Sequence, residues 1–144
     1  MTETNPVEIV VVEDSREDAD LIGVVLQEHQ IDCRMRVIRD GATAIQLLDA
    51  LDRDPSARRL DLFIVDINLP KYSGEDVLKR LRCTERFAQS PVIVISGLDC
   101  SMGERTAMKH GATAYFRKPS TLEEYMQLGS VIHDLLSKNA RGTA

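Results

Sequence analysis

The sequence predicts an α/β fold: a doubly wound, five-stranded parallel sheet of order 2-1-3-4-5 with five helices. Five strand-like runs alternate with helical patterns along the chain, and three of these runs are continuously apolar, which is typical of strands buried in a parallel sheet. No repeat, low-complexity block or linker interrupts this alternation. With 144 residues, the chain has the size of one domain. We expect that domain at residues 7–138, with short flexible tails at 1–6 and 139–144.

The hydrophobic patterns of the strands indicate their places in the sheet. The second strand alternates Arg34 and Arg36 with apolar residues, as an edge strand does, whereas the first is apolar from Ile9 onward and the third and fourth are apolar throughout. In the order 2-1-3-4-5 the winding direction changes between the first and third strands, and ligands of open α/β sheets bind at such a point. The predicted strands are Glu8–Val12, Arg34–Ile38, Leu62–Val65, Val92–Ile95 and Ala114–Arg117.

The predicted helices follow from capping residues and apolar spacing. Ser15 and Thr121 each precede an acidic residue three positions later, Asp18 and Glu124, which is a pattern of helix starts. Pro55 ends the second helix. The five helices are predicted to begin near Ser15, Gly41, Gly74, Gly103 and Thr121, and the last ends near Ser137.

Three carboxylates stand where two apolar strands end. Glu13 and Asp14 follow the first strand, and Asp66 follows the third. The predicted topology brings them together at the carboxyl edge of the sheet, where they would repel one another unless a cation held them. Mg²⁺ prefers carboxylate oxygens. The sequence therefore predicts a magnesium site suited to phosphoryl chemistry.

Two further side chains complete the set: Ser96 ends the fourth strand and Lys118 follows the fifth. Together, Glu13-Asp14, Asp66-Ile-Asn-Leu-Pro70 with Gly74, Ser96-Gly97 and Lys118-Pro119 resemble the receiver domain (CheY-like) of two-component response regulators over most of the chain. The resemblance implies a flavodoxin-like fold. It also implies a single-domain regulator that is phosphorylated by a histidine kinase in a Mg²⁺-dependent reaction and switches a protein-interaction surface, rather than a metabolic enzyme.

The resemblance also implies a role for individual residues. Asp66 is the implied phosphoacceptor, Lys118 and Ser96 contact the phosphoryl group, and Ser96 with Tyr115 forms the switch. Glu at position 13 and Ser at 96 replace the family's commoner Asp and Thr, and we expect these changes to affect the phosphoryl lifetime and leave the function in place. The implied Mg²⁺ ligands are Glu13, Asp14, Asp66 and the backbone carbonyl of Asn68.

Composition narrows the setting of this domain. A net charge of −5 with no basic cluster argues against nucleic-acid binding. The three cysteines lack metal-site spacing, and no apolar run approaches the ~20 residues that span a bilayer. The first residues do not resemble a signal peptide. We therefore expect a cytoplasmic protein with no membrane contact and no appended output domain.

Partners and alternatives follow from the same features. Loose similarity around Asn68–Lys71 and Arg86–Pro91 to stand-alone regulators of phytochrome-type sensor kinases suggests such a kinase, or a phosphotransfer protein, as partner. The wide apolar face of the last helix suggests a homodimer through the fourth helix, fifth strand and last helix.

A pseudo-receiver would lack the key side chains that this chain retains. A hydrolase with an aspartate nucleophile would need an acid where Asn68 stands, and an FMN phosphate would be repelled by Glu13-Asp14.

Overall fold

Five parallel strands form one sheet in the computed structural model, which describes residues 6–57, 59–97 and 101–141 of the chain. The strand order is β2-β1-β3-β4-β5, as the sequence predicts. Strand bounds differ from the predicted ones only at the ends, where the ladder extends the apolar run by a residue. The strands are β1 (Val7–Val12), β2 (Cys33–Ile38), β3 (Leu62–Asp66), β4 (Val92–Ser96) and β5 (Ala114–Arg117).

Helices cover both faces of the sheet and begin within two residues of the predicted places. The side chains of Ser15, Asp40 and Ser73 accept hydrogen bonds from the first turns of the helices that they cap. No helix within the described residues is long and apolar enough to cross a bilayer. The helices are α1 (Arg16–Glu28), α2 (Gly41–Asp52), α3 (Gly74–Cys83), α4 (Ser101–Lys109), α5 (Leu122–Tyr125) and α6 (Gln127–Arg141).

The last predicted helix is divided at Met126 into the single turn α5 and the long helix α6. The Met126 carbonyl accepts a hydrogen bond from the Gly129 N–H at 3.0 Å and another from His29 Nε2 at 2.8 Å. A Cβ atom on Gly129 would overlap the His29 ring. The end of α1 therefore fits into a notch in α6. The predicted tail residues 1–5 and 142–144 lie outside the described residues.

Alternate residues along each strand point to opposite faces of the sheet and pack into two hydrophobic cores, one on each face. On β1, Val10 and Val12 pack in the cluster that includes buried residues of α2 and α3, whereas Ile9 and Val11 pack with buried residues of α1 and α6. On β5, Tyr115 packs against the first cluster and Phe116 against the second. Phe116 and Tyr115 thus pack on opposite faces of the sheet.

Candidate functional site

The acidic cluster lies at the carboxyl edge of the two central strands. Val12 of β1 pairs with Val65 of β3, so the residues that follow them are brought side by side. One oxygen from each of Glu13, Asp14 and Asp66 lies within 4.8 Å of the others. Glu13 and Asp66 are 0% and 3% exposed, whereas Asp14 is exposed. The structure therefore brings together the three carboxylates that the sequence singles out, with one of them open to solvent.

Lys118 occupies the centre of the cluster. Its ammonium Nζ lies 2.6 Å from Glu13 Oε1, 2.8 Å from Asp18 Oδ2 and 2.9 Å from Asp66 Oδ2. The backbone of β4 fixes its position, because the Lys118 N–H donates to the Ser96 carbonyl at 2.8 Å. The contacts with Asp18 and Asp66 are hydrogen bonds, and the contact with Glu13 is an ion pair. Lys118 thus links the acidic ends of β1 and β3 to helix α1.

Burial and the neighbouring charges shift the pKa of two groups in the cluster. Burial lowers the pKa of Lys118, but its contacts with Asp18, Asp66 and Glu13 outweigh this effect, and the net shift is upward. Burial, with the neighbouring Asp66 carboxylate, raises the pKa of Glu13 to about 8, against the opposing effect of Lys118. Burial is thus the largest cause of the rise at Glu13, whereas the rise at Lys118 comes from its acidic neighbours. Because the cluster holds more carboxylates than ammonium groups, a further positive charge, as a proton or as a metal cation, would be favourable there.

Both carboxylate oxygens of Asp66 have partners. Oδ1 accepts a hydrogen bond from the Asn68 N–H at 2.9 Å, and Oδ2 accepts one from Lys118 Nζ. The chain then turns closely around this strand end: a Cβ on Gly74 would collide with the Asp66 carbonyl oxygen and the Ile67 Cα. Only glycine fits there, so Gly74 allows α3 to begin directly beside the acidic cluster.

The predicted switch residues lie on β4 and β5, the last two strands of the sheet order. Ser96 is buried at the carboxyl end of β4. Tyr115 packs on the cluster shared by α3 and α4, and its hydroxyl is buried without a hydrogen-bond partner among the described residues. Their role as a switch stays a prediction, as does the ligand role of the Asn68 carbonyl.

Two residues of the site were not predicted from the sequence. Asp18 was recognised only as a helix-start residue, and its N–H does bond to Ser15 Oγ at 3.2 Å, but its carboxylate also binds Lys118. Tyr125 is 3% exposed, and its hydroxyl has no hydrogen-bond partner within the part of the chain that the structure describes. Burial raises the pKa of Tyr125, and the charge of Asp18 adds to this rise. The only sequence signal for Asp18 was its position three residues after Ser15, which is a helix-start pattern.

The donor set fits a hard divalent cation. Glu13, Asp14 and Asp66 offer carboxylate oxygens only, and their ligand atoms converge within the spacing that one ion can bridge. The exposed carboxylate of Asp14 leaves the site open to solvent, so that water could complete the coordination shell. Softer metals would favour sulfur or imidazole, which the cluster lacks.

Comparisons with characterised proteins place this site in a family. The family model of the response regulator receiver domain matches residues 9–128. The response regulator Rcp1 of Synechocystis sp. is 33% identical over 95 residues, which are 65% of this chain and 65% of Rcp1. The two-component response regulator ARR7 of Arabidopsis thaliana is 27% identical over 92% of this chain and 66% of its own length. The chain thus spans about two thirds of the length of these curated relatives.

Solved structures give the same result for the fold. The phosphorylated cyanobacterial phytochrome response regulator RcpA superposes with a TM-score of 0.81 and 25% identity, covering 94% of this chain and 96% of RcpA. The Mn²⁺-bound form of Rcp1 superposes with a TM-score of 0.77 and 27% identity, covering 88% of this chain and 91% of Rcp1. The match to the family model covers most of the chain, and the fold and the acidic edge of its sheet agree with it. This chain belongs to the receiver domain family of two-component response regulators.

Proposed function

We propose that this protein is a phosphorylatable regulator in which Asp66 accepts a phosphoryl group from a histidine kinase or phosphotransfer protein, in a Mg²⁺-dependent reaction. The observation that carries this proposal is the convergence of Asp66 with Glu13, Asp14 and Lys118 at the carboxyl edge of the sheet. The receiver domain is assigned to residues 7–138.

In the proposed reaction, an Asp66 carboxylate oxygen attacks the phosphorus of a phosphohistidine. The new O–P bond makes an acyl phosphate, and the P–N bond to the donor imidazole breaks, leaving its electron pair on that nitrogen. Lys118 then donates one of its hydrogen bonds to a phosphoryl oxygen, since its ammonium already lies 2.9 Å from the acceptor carboxylate. The hydroxyl of Ser96, buried on the neighbouring strand, is assigned to a second phosphoryl oxygen.

Glu13, Asp14 and Asp66, with the backbone carbonyl of Asn68, are the proposed magnesium ligands. When bound, the cation neutralises the charge that would otherwise keep an anionic donor away from an anionic acceptor. The manganese in the solved structure of Rcp1, a relative of matching fold, supports a divalent cation in this place. An all-oxygen ligand set favours a hard cation such as Mg²⁺ over zinc or copper.

The same geometry argues against a hydrolase that acts on separate phosphorylated substrates. A general acid or base would be needed close to the nucleophile. Asn68 stands two residues after Asp66, and its side chain cannot exchange protons near neutral pH. We therefore propose a signalling domain that catalyses only its own phosphorylation and dephosphorylation.

Partners are proposed from the relatives and from the exposed surface. The likeness to RcpA, described as a phytochrome response regulator, supports a phytochrome-type sensor kinase as the phosphodonor. Met108 on α4 and Leu122 on α5 are large apolar side chains that are 48% and 54% exposed. The apolar stripe of the last helix itself packs into the core, where Leu128 and Ile132 are fully buried. The two exposed side chains, Met108 and Leu122, therefore support the proposed homodimer through α4, β5 and the last helices. Sedimentation of the phosphorylated and unphosphorylated protein would distinguish a dimer from a monomer.

A phosphoryl mimic tests the proposed switch. With Mg²⁺ present, beryllofluoride should bind Asp66 and shift the backbone amide NMR signals of Ser96, Tyr115 and Lys118. The same titration with Mg²⁺ chelated, or with Asp66→Asn, serves as control and should produce no such shifts. A folded wild-type protein whose spectrum does not respond to beryllofluoride and Mg²⁺ would refute the proposed function.

A further inference from the structure

Lys118 and a divalent cation would compete for the same oxygens. The ammonium contacts Glu13 and Asp66, which are two of the three carboxylates that converge as a cation site. An ammonium lying between these two carboxylates hinders a cation that needs both of them. Binding of a metal ion would therefore require the Lys118 ammonium to move partly away from Glu13 and Asp66. The ammonium must nevertheless stay within reach of a phosphoryl group on Asp66.

Asp18 is the one carboxylate on Lys118 that lies outside the converging set. Its Oδ2 lies 2.8 Å from Lys118 Nζ, but it is not among the described groups whose ligand atoms lie within 4.8 Å of one another. Asp18 also has a fixed place: it lies in the first turn of α1, with its N–H bonded to the capping Ser15 side chain. Its carboxylate is partly buried, so water screens its attraction for Lys118 incompletely.

We propose that Asp18 is a positioning residue that holds the Lys118 ammonium at the edge of the acidic cluster, so that Lys118 can yield Glu13 and Asp66 to a metal ion. On metal binding, Lys118 would give up its direct contacts with Glu13 and Asp66 and keep the contact with Asp18. The lysine stays within reach of an arriving phosphoryl group. This inference rests on the proposed function, because it assigns Asp18 a part in the same magnesium-dependent site.

The test measures Mg²⁺ affinity in the absence of any phosphodonor, by calorimetry or NMR titration. Asp18→Asn should weaken Mg²⁺ binding about tenfold, the lower end of the effect of outer-shell residues on metal affinity. Asp20→Asn is the matched control: it removes the same charge from an exposed position of the same helix and should leave the affinity within about twofold. Asp18→Glu, which keeps the charge, should restore part of the loss and serves as a second variant.

A double-mutant cycle separates positioning from long-range charge. Lys118→Ala removes the competing ammonium and should by itself strengthen Mg²⁺ binding. Adding Asp18→Asn to Lys118→Ala should then change the affinity by no more than about twofold, because there is no ammonium left to position. Circular dichroism of each variant confirms that it is folded before the titration is compared.

Two outcomes would overturn this inference and leave the proposed function intact. In one, Asp18→Asn and Asp20→Asn have equal effects. In the other, Asp18→Asn weakens binding as much without Lys118 as with it, which would show that its charge acts at a distance. A folded wild-type protein that binds no Mg²⁺ would overturn the proposed function and this inference with it.

Discussion

The hydroxyl of Tyr125 is buried and lacks a hydrogen-bond partner among the described residues. A buried polar group without a partner costs about 1–3 kcal/mol of stability. Tyr125→Phe should therefore raise the free energy of unfolding by about 1 kcal/mol, measured by urea denaturation. Tyr72→Phe is the control, since Tyr72 is 61% exposed and the change should stay within about 0.5 kcal/mol. A loss of stability in Tyr125→Phe would contradict this description of the hydroxyl.

At the level of single residues, site side chains at the ends of strands could be predicted from the sequence, whereas a site side chain on a helix could not. Glu13, Asp14 and Asp66 could be located because the carboxyl ends of neighbouring parallel strands must meet at one edge. Asp18 could not, because the direction of a helical side chain towards the sheet depends on how the helix packs. The helix-start pattern with Ser15 already accounted for an acidic residue at position 18, so no sequence pattern indicated the contact of Asp18 with Lys118.

The break in the last helix gives a test of how the elements pack. Gly129→Ala would place a methyl group against the His29 ring and should destabilise the protein by about 1–3 kcal/mol, the usual cost of overpacking. Gly23→Ala is the control: its Cβ would meet only Met35 Cε at 3.6 Å, so better helix propensity should raise stability by up to about 1 kcal/mol.

Urea denaturation of both glycine variants, and of Gly129→Ala combined with His29→Ala, completes this test. Removal of the ring makes room for the methyl group, so the double variant should lose less than the sum of the two single losses. Strict additivity would show that the notch does not govern the packing of α1 on α6.

The strands and helices themselves were predictable to within a few residues, because each has its own hydrophobic period and capping residue. The division at Met126 was not predictable. The Met126 carbonyl at the division bonds to the ring of His29, which lies 97 positions earlier in the sequence. Apolar spacing continues through Tyr125 and Leu128, so a sequence pattern favours one uninterrupted helix there.

At the scale of the whole molecule, the acidic site links stability to pH. Glu13 has a pKa raised from 4.5 to about 8 by burial, so across that range the folded state binds more protons than the unfolded state. Its contribution to stability is therefore complete below the unfolded pKa and is lost as pH rises towards 8. The metal-free protein should lose stability between about pH 5 and pH 8, with Glu13→Gln reducing the slope.

Magnesium should oppose this loss of stability with rising pH, because metal ligands must lose their protons before they bind the ion. The gain in stability on adding Mg²⁺ should be larger at about pH 8 than at about pH 6, as measured by urea denaturation at each pH. A gain that is the same at both values would contradict the assignment of Glu13 to the cation site.

The proposed function depends on Asp66 as the phosphoacceptor, and intact-protein mass spectrometry tests this role most directly. The wild-type chain, incubated with acetyl phosphate and Mg²⁺, should gain the mass of one phosphoryl group; Asp66→Asn, or the wild type with Mg²⁺ chelated, should gain none. Asp61→Asn, at the opposite end of β3, should be labelled like the wild type. Labelling of Asp66→Asn to the wild-type extent, or a folded wild type that gains no mass, would contradict the central claim.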